Sequence, residues 1–108
     1  MKKLAKERLH LIKQVNNPEL KKILFRASIG SCGSNLQLSE DVSFTDGKQL
    51  HLGHHVVIMD HVHFDDCQPI HIGNHVIIGS HTVIHPGVTI DDGVFIEAHS
   101  LITTSIKK

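Results

Sequence analysis

From Leu38 onward the chain places a large apolar residue at a fixed interval. The positions are Leu38, Phe44, Leu52, Ile58, Phe64, Ile72, Ile78, Ile84, Ile90, Ile96 and Ile102. Successive members lie six residues apart, except from Phe44 to Leu52 and from Phe64 to Ile72, where the step is eight. Four residues after most of them comes a second, often smaller residue: Val56, Val62, Val76, Thr82, Val88, Val94 and Ser100. Glycine often follows directly, as at Gly53, Gly73 and Gly79. A period of six fits neither an α-helix, at 3.6, nor the simple alternation of a strand. It fits a coil with three short sides, each turning its large residue inward and placing its smaller one near a corner. The predicted fold is mainly β, a parallel β-helix, with turns of 20 residues early and 18 later. Fewer than four turns fit between residues 36 and 106. The two longer steps predict bulges at one corner, around Gly47–Gln49 and Cys67–Pro69.

The pattern before residue 28 is different. Leu4, Ala5, Leu9, Leu11, Ile12 and Val15 form a helical stripe over residues 3–15. A second helix starts after Asn17, a capping residue, with Pro18 at its first position and Glu19 at its positive end. It is expected to run to about Arg26 and to bury Leu20, Ile23 and Leu24. "IGSCGSN" then reads as loop. The chain thus divides into a helical cap, residues 1–27, and a solenoid, residues 28–108. Both ends of a solenoid expose strand edges that need covering. The helices are the expected cap at one end, while "LITTSIKK" offers only its two lysines at the other. So thin a prism buries little by itself, and a partner subunit is expected.

Composition sharpens this picture in three places. The 108 residues carry 11 basic and 11 acidic side chains. Residues 1–26 hold eight Lys/Arg against two Glu, or +6, and the remainder holds three against nine, or −6. The simplest consequence is two solvated faces, or a basic arm docked on an acidic body, and no nucleic-acid partner is expected. Cys32 and Cys67 have no paired spacing, which points to neither a disulfide framework nor a thiolate metal site. The charged "MKKLAKERLHLIKQ" lacks the apolar run of a signal peptide, and no stretch reaches transmembrane length, so a cytoplasmic protein without a membrane span is expected.

The third feature is histidine. Ten of the 11 histidines lie between His51 and His99. Residues one turn apart stack along the axis, so His51 should meet His71, and His55 should meet His75. His61, His81 and His99 should form one column, and Asp65 should lie beneath His85. A carboxylate one rung from an imidazole can orient it as a general base. One alternative is a solvated surface pair; the columns read either as corner positions that tolerate any polar residue, filled here by His, or as a zinc site of stacked imidazoles. His10 reads as surface, and nothing near Cys67 argues for an activated thiol.

The segment "IHIGNHVIIGSHTVIHPGVTIDDGVFIEAHSLITTSI" resembles the late coils of the hexapeptide-repeat acyltransferases, most of all the galactoside and maltose O-acetyltransferases. The resemblance implies a left-handed coil, a homotrimer, and acetyl-CoA as co-substrate in a groove between subunits. It also implies a histidine base acting on a saccharide or similar hydroxyl, with no metal required. On this basis Ser80, Ala98 and Thr103 match groove-lining positions, and Asp65 matches an aspartate near the acceptor. The family's lysine after the last of these positions is Thr104 here, with Lys107 or Lys108 as its substitute. The extended loop that carries the family's catalytic histidine is missing, as is its C-terminal "GxPA" segment. Asp91 and Glu97 replace glycines. The expectation is a shortened O-acyltransferase with His85 and Asp65 as catalytic pair. Its alternatives are a non-catalytic assembly or binding module and a metal-binding protein like the γ-class carbonic anhydrases.

Overall fold

The computed structural model describes residues 17–108; the predicted helix over residues 3–15, with His10, lies outside them. Helix α1 spans Pro18–Ser28. Asn17 caps it, its Oδ1 accepting from the amides of Glu19 at 2.9 Å and Leu20 at 3.2 Å. Glu19 in the first turn and Arg26 in the last both suit the helix dipole.

The buried face of α1 differs from the expected one. Leu20 and Ile23 are exposed, Leu24 is half-buried, and Phe25 and Ser28 are buried. The reason is tertiary. Phe25 packs edge-to-face on Phe44 with ring centroids 5.8 Å apart, which rotates the helix toward the first turn of the coil. Lys21 reaches Glu40 at 2.9 Å, and the Arg26 guanidinium donates to the Gly33 carbonyl at 2.8 Å. The basic helix does dock on the body, through these contacts.

Twelve two- or three-residue strands follow: β1 Ser31–Cys32, β2 Gln37–Leu38, β3 Ser43–Phe44, β4 Leu50–Leu52, β5 Val57–Ile58, β6 His63–Phe64, β7 Ile70–Ile72, β8 Ile77–Ile78, β9 Val83–Ile84, β10 Thr89–Ile90, β11 Phe95–Ile96 and β12 Leu101–Ile102. They form three parallel four-stranded sheets, β1-β4-β7-β10, β2-β5-β8-β11 and β3-β6-β9-β12. The described residues therefore form a three-sided parallel β-solenoid preceded by one short helix. The register is the one the period requires: Cys32 pairs with Leu52, Leu52 with Ile72, and Ile72 with Ile90, at steps of 20, 20 and 18.

There are four turns rather than fewer, because the coil starts inside the segment read as loop. Cys32 takes the inward position six residues before Leu38, but its side chain is too small to register in a count of large aliphatics. The inward residues Phe44, Leu52, Ile58, Phe64, Ile72, Ile78, Ile84, Ile90 and Ile96 are all at most 5% exposed. Burying each such side chain is worth about 1.5–3 kcal/mol, which makes this column the main source of stability.

The C-terminal end is also better covered than two lysines would allow. Ile106 bridges to Ile90: its amide donates to the Thr89 carbonyl at 3.0 Å, and the Asp91 amide donates back at 3.0 Å. The chain thereby adds a rung to the edge of β10. Lys108 Nζ donates to the Gly93 carbonyl at 3.2 Å. The outward side of the β2-β5-β8-β11 sheet is the apolar face, with Val57 half-buried and Ile77 and Phe95 exposed.

Candidate functional site

The three corners of the prism are not equivalent. Two are tight, and each is turned by one residue in the left-handed region. One stacks Asn35, His55, His75 and Gly93; the other stacks Asp41, His61, His81 and His99. Their φ values lie between 56° and 73°. Histidine, asparagine, aspartate and glycine are the residues that enter this region most readily, which gives five histidines a conformational reason for their positions.

The rings stack as the axial arithmetic requires. Centroids are 4.8 Å apart for His51–His71, 4.7 Å for His55–His75, 4.7 Å for His61–His81 and 4.9 Å for His81–His99, with interplanar angles of 22° or less. Parallel rings project parallel lone pairs. Two nitrogens on one zinc lie at most about 4.2 Å apart at ~2.0–2.1 Å per bond, so neighbours in a column do not converge on an ion. Among the described residues no group of three or more His, Cys, Asp or Glu is arranged to hold a metal. The columns begin on polar partners instead: Asp41 Oδ2 lies 2.8 Å from His61 Nδ1, and Ser31 Oγ lies 2.9 Å from His51 Nδ1.

The third corner, between the β3-β6-β9-β12 and β1-β4-β7-β10 sheets, is open. Its first two passes carry the extra residues, as predicted. Asp66 is fully buried there and organises the first bulge. Its Oδ1 accepts from the amides of Thr45 at 3.1 Å and Asp46 at 2.7 Å, and its Oδ2 accepts from Gly47 at 2.6 Å. Gly47 has φ of +92°, and a Cβ there would sit 2.5 Å from the Ser28 carbonyl oxygen, so only glycine fits.

On the outer side of this corner Thr45, Asp65, His85 and Thr103 follow one another along the axis. The amides of Thr45, Asp65 and His85 donate to the carbonyls of Phe64, Ile84 and Ile102 at 3.1, 2.8 and 2.9 Å. Asp65 Oδ1 accepts from Cys67 Sγ at 3.0 Å and from Thr45 Oγ1 at 3.2 Å. The Cys67 thiol, above all, holds the Asp65 carboxyl below its ordinary value; partial burial opposes this, and Thr45 and the charges of His63 and His85 support it. Asp65 and His85 therefore meet through charge, one rung apart, and not through a direct hydrogen bond. His63, on β6, lies with Nδ1 2.7 Å from Ser43 Oγ and Nε2 3.4 Å from Thr45 Oγ1.

Thr103 joins Asp65 and His85 at this corner. Ser80 and Ala98 do not: they stack at the tight corner before β9 and β12, where the His99 amide donates to the Ser80 carbonyl at 2.8 Å. Gly79 beside them allows the coils to close, since a Cβ there would be 2.5 Å from the Ala98 nitrogen. Strands β9 and β12 separate the two groups within one chain. Of the predicted lysine substitutes, Lys108 is engaged with Gly93 and Asp91. The half-buried Cys32 is not poised to react, because partial burial pushes its thiol up against the pull of Arg26. Sequence reasoning missed Ser43, Thr45, His63 and Asp66. The same offset of 20 that pairs the histidines also pairs Ser43 with His63 and Thr45 with Asp65.

Comparison with known proteins agrees with this architecture. Residues 69–104 match the family model described as bacterial transferase hexapeptide (six repeats). A maltose O-acetyltransferase from Clostridium difficile 630 superimposes with a TM-score of 0.78 at 21% identity, over 98% of this chain and 77% of that one. A hexapeptide-repeat-containing acetyltransferase from Vibrio cholerae O1 biovar eltor, complexed with acetyl coenzyme A, gives 0.72 at 25% identity, over 93% and 71%. A galactoside acetyltransferase in complex with coenzyme A gives 0.68 at 26%, over 97% and 72%. No curated protein matches the chain. The resemblance read from the repeats therefore agrees with the comparisons: residues 69–104 carry hexapeptide repeats, and the chain is similar in fold to the maltose and galactoside acetyltransferases.

Proposed function

We propose that the protein is an acetyl-CoA-dependent O-acyltransferase acting on the hydroxyl of a saccharide or a similar small molecule. The observation that carries this reading is the placement of Asp65 and Thr103 on either side of His85 at the open corner. His85 is the base, and the Asp65 carboxylate orients it and stabilises its protonated form. His85 takes the proton of the acceptor hydroxyl as that oxygen attacks the thioester carbonyl. A backbone N–H steadies the oxyanion. Collapse breaks the C–S bond, and His85 returns the proton to the departing CoA thiolate.

Ser80, Ala98 and Thr103 line the CoA groove in this reading. Because β9 and β12 separate the first two from the third, a groove completed by a neighbouring subunit accounts for them best, and the assembly is a homotrimer. The coil is left-handed, residues 1–27 cap residues 28–108, and the protein works in the cytoplasm without a metal. The acetyl-CoA and CoA complexes of two structural neighbours support the co-substrate.

A second reading has one observation in its favour. Among residues 17–108 every connection between strands is short, so the coils run on without the extended histidine loop of the family. In that reading the solenoid is a binding or assembly module. Incubating the full chain with acetyl-CoA and a panel of galactosides, maltose and glucose separates the two. The transferase releases CoA thiol only when an acceptor is present, and acetyl-CoA raises its melting temperature. Stabilisation by acetyl-CoA without thiol release would favour the module, and the absence of both would remove acetyl-CoA from the account.

A further inference from the structure

We propose that Ser43, His63 and Thr45 form a one-directional hydrogen-bond chain that positions the Asp65 carboxylate for His85, with the His63 proton on Nε2. The inference rests on the transferase reading only for its effect on turnover; the chain itself rests on geometry. It starts from Asp65, whose ionised carboxylate can only accept. The 3.2 Å contact from Thr45 Oγ1 must then carry the threonine proton toward Asp65 Oδ1. A threonine hydroxyl has one proton, and the charge-assisted bond to the carboxylate takes it in preference to a neutral nitrogen.

The remaining lone pairs of Thr45 Oγ1 can only accept. His63 Nε2, 3.4 Å away, must therefore be the donor, in the longest link of the chain. A neutral imidazole protonated at Nε2 leaves Nδ1 bare, and the 2.7 Å contact with Ser43 Oγ becomes a hydroxyl donating to that nitrogen. Every bond then points the same way: Ser43 to His63, His63 to Thr45, Thr45 to Asp65. Cys67 donates to the same Asp65 oxygen from the bulge at 3.0 Å. When protonated, His63 and His85 also act on Asp65 through charge. His63 is thus a positioning residue. It acts through Thr45 on the carboxylate that faces His85, and its own ring nitrogens are occupied, unlike those of a base awaiting substrate.

The test uses the full chain labelled with 15N-histidine and with 13C at its aspartate carboxyls. At neutral pH the two-bond proton–nitrogen correlations of His63 should show the Nε2–H tautomer. Thr45→Val should move the Asp65 carboxyl titration upward and abolish the single tautomer of His63, and Thr45→Ser should restore both. Ser43→Ala, which leaves the bulge untouched, should loosen the His63 tautomer if Thr45→Val does not fold. In turnover, Thr45→Val should lower kcat by roughly tenfold to a hundredfold with little change in KM, the signature of a misplaced catalytic group, and Thr45→Ser should recover it. An Nδ1–H tautomer at His63, or an Asp65 titration indifferent to Thr45→Val, would overturn the chain even if acetyl transfer is found. If the spectroscopic signatures hold while no acceptor is acetylated, the chain stands and the transferase reading fails.

Discussion

Two corners of the same prism use polar residues in opposite ways. At the tight corner Asp41, His61, His81 and His99 turn the chain, and their φ values of 58–61° explain why they are there. Their rings lie flat on one another, and the column is a repeated solution to a backbone requirement. At the open corner the two extra residues relax that requirement in the first two passes, and Gly87, with φ of +77°, meets it in the third. Buried Asp66 meets the backbone demand of the first bulge, which leaves Thr45, Asp65 and His85 to face outward one above another. In the proposed reading identical side chains carry chemistry in one place and geometry in the other, and the difference is whether the backbone has already claimed them.

The largest way to break the contrast is to remove Asp66. Asp66→Ala leaves three inward amides without their carboxylate. Urea denaturation should show a loss of about 3–5 kcal/mol, since hydrogen bonds to a charged group contribute about 1.5–3 kcal/mol each and are not additive. The tight corner predicts a smaller, conformation-dependent effect. His81→Val should cost about 1–2 kcal/mol, because a β-branched residue resists the left-handed region, while His81→Asn should stay within about 0.5 kcal/mol of the parent. If valine and asparagine were equal there, ring stacking rather than φ would explain the column.

The smallest effect is in the acid limb of stability. Asp65 titrates below its unfolded value, so its contribution is complete above about pH 3.9 and is lost as the pH falls through the lower folded value. Asp65→Asn should flatten that limb below about pH 4 and lower the neutral-pH plateau by the small amount that the shifted titration contributes, solvent screening keeping it well below the effect of Asp66→Ala. A plateau loss as large as that of Asp66→Ala would mean that Asp65, like Asp66, is a backbone anchor.

Much of this was legible in the sequence because the interior of a three-sided coil admits large aliphatics at one position in six. The same arithmetic placed His61, His81 and His99 in one column. The first turn was hidden because Cys32 stands where an aliphatic would have continued the series. The helix face was misjudged because Phe25 answers to Phe44, which is distant in sequence. Asp65 and Asp66 are adjacent and chemically identical, and only the alternation of side chains around the bulge sends one outward and the other into the backbone. Ser43, Thr45 and His63 were within reach of the offset of 20, but small hydroxyls do not stand out in a pattern built from isoleucines and histidines.

The central claim is that catalysis belongs to the open corner and not to the histidine columns. Acetyl-CoA-dependent acetylation of a responsive saccharide should be compared in His85→Ala and His81→Asn. The account predicts a loss of about 10²–10⁴-fold for His85→Ala with its fold retained, and a rate near the parent's for His81→Asn. Undiminished transfer by His85→Ala, or a collapse confined to His81→Asn, would contradict it.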